Sequence, residues 1–336
     1  LRYEHTSPGR RPDASTGEVI AVSTETLTPP EASSAEPPPY EGLGRPIKGP
    51  RALNDDPRRF WHLTYNIARN EFKLKFFGSV LGYVWQVMRP LLLFGVLYVF
   101  FVLITHVGQG GKPSEAFYGV QLLGSIVLFT FFGEATGGAV RSVFDRENLV
   151  RKIQFPRMVI PLAIVLLSFF NLLLNLVVVL LFALISGVSP MLSWLELPLI
   201  LLLLVVFSTG LAMLLSALFV RFRDISPIWE VVSQIIFYGS PVIIPLSKVR
   251  ETLLYPKPPA TADSIDHLLY HIYMLNPLVT VFQQFRHAMV THDTISAGEA
   301  LGSWAALLEP LGVAAFTFAL GFWVFNRSAP FVAENL

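Results

Sequence analysis

Few residues in this 336-residue chain have the type and spacing to do chemistry, and the most telling of them sit inside apolar runs. Glu134, in Phe131-Phe132-Gly133-Glu134-Ala135, is the clearest intramembrane acid, with Gln121 one face away. An isolated ionised carboxylate is costly in hydrocarbon, so Glu134 must face protein, water or a basic partner. Two roles fit it: a hydrogen-bonded packing residue near the end of a span, or a residue on a transport path. Asn171 and Asn175, at i and i+4, suit interhelical hydrogen bonding better than ion ligation. His267 and His271 have the spacing of a metal pair. No glutamate follows the first histidine, however, and Asp263 and Asp266 are the only acids nearby, so no metal is expected there. Gly111-Lys112 is followed by Pro113, and His106 stands where a phosphate-binding loop needs its first glycine. Hydrolysis of ATP by this chain is therefore not expected. No paired carboxylates or Ser/His/Asp arrangement lies in a plausible catalytic setting, and an ion-coupled carrier would want several acids near the midplane.

The composition says what must position these residues. The chain is 53% hydrophobic and 15% charged, with a mean hydropathy of +0.54, which points to a polytopic membrane protein. A net charge of +1 gives no reason to expect nucleic acid, and the lack of cysteine excludes disulfides and thiolate metal sites. Residues 1–56, rich in Pro, Ser, Thr and Glu, have the composition of a disordered cytoplasmic tail. A helix is expected over 57–76, with Asp56 as cap and Pro57 in its first turn. Its apolar stripe is Trp61, Tyr65, Ala68, Phe72 and Phe76, and the flanking basic residues suit a helix lying in the membrane interface.

Runs at roughly 84–107, 117–139, 158–186, 194–220, 228–244 and 303–325 are long enough to cross a bilayer. The expected fold is thus an all-α membrane protein with about six transmembrane helices. Arg and Lys crowd the segments before the first span, between the second and third, and between the fourth and fifth, which places both termini in the cytoplasm. The opposite loops are poorer, although the last of them holds Lys248, Arg250, Lys257 and Arg286. That last outer segment, 247–302, carries two further helical patterns, either re-entrant or capping the outer face. Ser226-Pro227 has the form of a cap for the fifth span, and Asp224 stands ready to pair with Arg221 or Arg223.

The segment 148–161 (NLVRKIQFPRMVIP) is the most basic connection between spans. Arg151, Lys152 and Arg157 mark its side of the membrane. Asp145, Arg146 and Glu147 can make polar contacts, Leu149, Val150 and Phe155 can anchor a short helix, and Phe155-Pro156 breaks it before the third span. Topology and anionic-lipid contact account for the charge but not for that break.

Four blocks, in order, resemble the permease subunit of ABC-2 type polysaccharide exporters. They are 75–91 (KFFGSVLGYVWQVMRPL), the basic segment 148–161, 223–229 (RDISPIW) with 237–242 (FYGSPV), and 275–278 (LNPL) with 285–287 (FRH). The resemblance covers 57–330 and leaves the tail outside. It implies a homodimer of permeases on two separate ATPase subunits, with ATP and magnesium bound there and no cofactor on this chain. The implied cargo is a lipid-linked glycan moved across the cytoplasmic membrane. It also implies that Phe72, Asp145, Arg146, Glu147, Leu149, Val150, Phe155 and Pro156 contact the ATPase. Tyr83, Trp85, Phe131, Phe132, Phe237 and Tyr238 are candidates, with Glu134, for lining the path, since an aromatic face fits the apolar face of a sugar; the alternative is an aromatic belt in contact with lipid. An ABC-2 type exporter of a drug, lipid or peptide, and a membrane enzyme acting on lipid-linked sugars, are the competing readings.

Overall fold

Long apolar runs must satisfy their backbone groups within themselves once water is excluded, and helices do so. The computed structural model describes residues 57–76, 82–104, 117–147, 156–254, 264–290 and 294–328, and the structured elements among them are helical. Helix α1 spans Pro57–Phe76 and α2 spans Gly82–Tyr98, running on as a π-helix over Val99–Ile104. Helices α3 (Tyr118–Ser142), α4 (Val159–Ile185) and α5 (Leu197–Arg221) follow. Next come α6 (Ile225–Gly239), α7 (Leu246–Leu254), α8 (Ser264–Met274), α9 (Pro277–Met289), the short α10 (Ala297–Ala300) and α11 (Leu308–Ser328). The tail at 1–56 and the segment 148–155 lie outside the described residues.

Five helices among the described residues are long and apolar enough to cross a membrane, rather than six. The exception is α6, whose 15 residues reach about 22 Å against the ~30 Å of a hydrocarbon core. It stops because Ser240, at φ −95° and ψ 160°, is held extended ahead of Pro241. The break is heavily bonded. Tyr118 of α3 donates to the carbonyl of Ile243 at 2.7 Å, and the buried Arg286 of α9 donates to the carbonyls of Pro241 and Val242. Burial lowers the Arg286 pKa to about 10, so it keeps its charge at neutral pH.

Helix α3 is the most buried span and forms the centre, packed by α4 and α5, while α2 and α11 are the least buried. Phe132 of α3 stacks on Phe207 of α5 at 6.0 Å. Helix α11 packs on α5 through two glycines: a Cβ on Gly321 would fall 2.1 Å from the Gly210 carbonyl oxygen. Small residues at a crossing let two backbones touch, which is how helices associate where no hydrophobic drive acts between them.

The outer segment resolves into a sunken helix and an exposed one. Leu278, Phe282, Phe285 and Met289 of α9 are buried. The Phe285 ring lies where a Cβ on Gly124 would be, 2.2 Å from its Cε1, about 9 Å along α3 from its start. Helix α9 therefore inserts among the ends of the spans opposite those on which α1 packs. By contrast α8 exposes Ile265, Leu268, Leu269 and Ile272. Its His271 bonds Glu309 of α11 at 3.1 Å.

The packed face of α1 is rotated from the expected stripe. Phe60, Thr64 and Ala68 are buried, whereas Trp61 is 60% exposed and Tyr65 47%. Phe60 sinks into a cluster with Val143, Met158, Met213 and Phe325, which joins α1 to the ends of α3, α4, α5 and α11. Tyr65 and Phe72 flank Phe170 of α4 at 6.2 and 5.8 Å. Phe60, Thr64 and Ala68 make the contact, and the small Thr64 and Ala68 let the helices approach closely there, while Trp61 and Tyr65 stay exposed beside it.

Candidate functional site

Glu134 forms a node between three helices. Gln86 of α2 donates to its Oε1 at 2.9 Å, and Asn171 of α4 donates to its Oε2 at 2.8 Å. Asn175 donates in turn to the Asn171 carbonyl at 3.0 Å. Gln86, Asn171 and Asn175 are buried, and Glu134 is half-buried. The buried Oδ1 atoms of Asn171 and Asn175 accept no hydrogen bond from any described residue. Both carboxylate oxygens are thus occupied by neutral amides, and the node works first as a tie that holds the little-buried α2 to the bundle. Gln121, the partner nearest in sequence, is not the one that meets Glu134. Asn171 makes the interhelical hydrogen bond expected of it, whereas Gln86, a glutamine isolated in an apolar span, is the partner that was not singled out.

Replacing Glu134 with leucine should strand both amides at about 1–3 kcal/mol each. Glutamine, which keeps one acceptor, should cost less. Thermal unfolding in detergent checks the order, and a leucine variant as stable as wild type would contradict the tie.

At one end of the bundle a second set of contacts joins the helices that frame the basic connection. Arg146, in the turn after α3, pairs with Glu71 of α1 and donates to the Ser142 carbonyl at 3.1 Å. Arg141 donates to the Ser226 hydroxyl at 2.9 Å, so Ser226 lies within α6 as a partner of α3 rather than as its cap. Asp224 occupies the cap position without a side-chain cap bond, and it forms no ion pair with Arg221 or Arg223. Arg223 instead lies 5.1 Å over the Phe144 ring. Asp145 is exposed, and Glu147 donates its backbone N–H to the Phe144 carbonyl at 3.0 Å. Pro156, half-buried, receives the Val159 N–H at 3.1 Å as α4 begins. Burial lowers the pKa of the neighbouring Arg157. Leu149, Val150 and Phe155 lie outside the described residues.

The aromatic candidates divide. Phe131 and Phe132 are buried in the core, Phe132 between Phe207 and Trp229, so within this chain they present no open face. Phe237 is half-buried against Phe129 at 4.9 Å. Trp85 on α2 and Tyr238 on α6 are open, at 52% and 73% exposure. The Tyr83 side chain lies outside the described residues.

A model of the ABC-2 type transporter family matches residues 62–255, from within α1 to the end of α7. The chain belongs to the ABC-2 type transporter family. It is similar to the O-antigen export system permease protein RfbA of Myxococcus xanthus, 25% identical over 230 residues, 68% of this chain and 81% of that protein. Two proteins of the same name from Klebsiella pneumoniae are 28% and 27% identical over 186 residues, 55% of this chain and 70% of theirs. ABC-2 proteins of this kind are transport components. The ABC-2 match takes in the Glu134 node and the Glu71–Arg146 pair, whereas α9 and α11 fall beyond it.

Proposed function

We propose that this chain is the permease subunit of an ATP-driven exporter that moves lipid-linked polysaccharide across the bacterial cytoplasmic membrane. Two permeases pair, and two copies of a separate ATPase subunit bind the ATP and magnesium; the permease holds no cofactor. The observation that carries this reading is the joint between α1 and the end of α3, in which Glu71 and Arg146 pair beside the exposed Asp145. A partner pressing there moves α1 and α3 together, and α3 carries the centre of the bundle. Phe72, Glu147 and Pro156, together with Leu149, Val150 and Phe155, are the further residues proposed to contact the ATPase. The RfbA-named relatives support O antigen or a similar glycan as the class of cargo. Trp85 and Tyr238 are the open aromatic faces for a sugar ring.

The test is a chromosomal deletion complemented by a tagged copy. Loss of surface polysaccharide, its return on complementation and co-purification of an ATPase are expected. A deletion strain with normal surface glycan, or a purified permease that brings no ATPase from membranes, would overturn the proposal.

A further inference from the structure

We propose that a basic pocket at the ends of α5 and α11 binds the phosphate-bearing headgroup of an anionic lipid from the adjoining leaflet. The cavity measures about 770 Å³ and is lined by Arg221, Arg223 and Arg327 with Trp323 and, on its apolar side, Val220 and Val324. All three arginines are exposed, and none forms an ion pair with any described residue. Asp224, adjacent to Arg223 in sequence, leaves them uncompensated.

Aromatic rings, not acids, set the positions of the guanidinium groups. Arg223 lies 5.1 Å over Phe144, Arg221 5.5 Å over Phe222 and Arg327 5.5 Å over Trp323. A guanidinium held over a ring keeps its N–H edges free for two oxygens of one phosphate.

The carbonyl ends of α5 and α11 favour a basic residue in the last turn of each helix, which accounts for Arg221 and Arg327 taken singly. It does not account for Arg223, which lies beyond α5 and lines the same cavity. Three like charges around one cavity repel unless an anion sits among them. The pocket also lies where two membrane helices end, with a tryptophan at the level where such rings meet headgroups, and an apolar wall leads from it toward the spans. Basic pockets between transmembrane helices on the cytoplasmic side take phosphate-bearing headgroups for these reasons. The inference stands apart from the identity of the exported cargo.

The full-length permease, purified in neutral detergent, is incubated with phosphatidylglycerol or phosphatidylcholine and examined by native mass spectrometry, alone and with millimolar inorganic phosphate. Wild type should retain phosphatidylglycerol over phosphatidylcholine, and R221Q/R223Q/R327Q should lower that retention about tenfold, with an unchanged melting temperature. Brominated phosphatidylglycerol should quench wild-type fluorescence more than that of W323F. Phosphate should compete only weakly, because it lacks the chains that meet the apolar wall. Equal phosphatidylglycerol retention by wild type and the triple variant would overturn the proposal. So would full displacement by phosphate, which would make the pocket a free-anion site. Unchanged lipid retention with loss of ATPase co-purification would overturn it in favour of a protein partner.

Discussion

Substituting leucine for Gly321 is expected to leave little folded protein in the membrane. A Cβ at that position falls 2.1 Å from the Gly210 carbonyl oxygen and 2.9 Å from its carbonyl carbon. A Cβ at Gly210 would in turn meet the Phe318 Cα and N at 2.6 Å. These are backbone atoms, so no rotamer change relieves the clash and the two helices must separate. Overpacking in a core costs about 1–3 kcal/mol when side chains can adjust, and here they cannot. Helix α11 buries little of itself elsewhere, so loss of this crossing removes its main attachment. Gly312 is a control on the same helix, because a Cβ there meets nothing within 4 Å. Fluorescence-detected size-exclusion chromatography should show G321L aggregated or absent and G312L close to wild type. A monodisperse G321L protein with an unchanged melting temperature would refute the crossing.

The second large effect is expected in transport rather than in stability. Glu71 and Arg146 are each about a quarter exposed, and pairs of that kind contribute about 0–1 kcal/mol. Arg146→Glu or Glu71→Arg should therefore barely move the melting temperature. Each substitution sets like charges face to face, however, and pushes α1 away from the turn after α3. Polysaccharide export should fall at least tenfold in either single variant while ATP hydrolysis by the complex continues. The swapped pair, E71R/R146E, should restore most of the export, since it rebuilds the attraction with its polarity reversed. Full export by both single variants would remove the pair from the coupling path. Failure of the swap would mean that Arg146 acts through its bond to Ser142 instead.

Much of this architecture is legible from the apolar runs, because a span announces itself locally. The break at Ser240-Pro241 is equally local, and it accounts for a fifth apolar run too short to cross as a helix. The need of Glu134 for partners could also be read, but their identity could not. Gln86 and Asn171 are 48 and 37 positions away, and which faces of three helices meet depends on their rotation and tilt. The packed side of α1 was read only in part for a related reason: Ala68 lies in it as expected, but Phe60 and Thr64 are buried where Trp61 and Tyr65 were expected. Asp224 looked like a partner for its arginine neighbours, yet those guanidinium groups stack on rings. Charge counting likewise entered Arg286 among the outer-loop cations that weigh on orientation. Fully enclosed by protein, it senses carbonyl oxygens rather than the membrane surface.

Enclosure of Arg286 has a mechanical consequence. Its guanidinium fastens two successive carbonyls beyond the end of α6 to the last turn of a helix wedged among the spans. Pulling the two apart would leave a cation facing a dry interior, which is far costlier than the loss of one neutral hydrogen bond. The end of α6 and the whole of α9 are therefore geared to each other. Any movement at this end of the bundle must turn them as one piece, with Gly124 and Phe285 as the bearing on which that piece rests against α3.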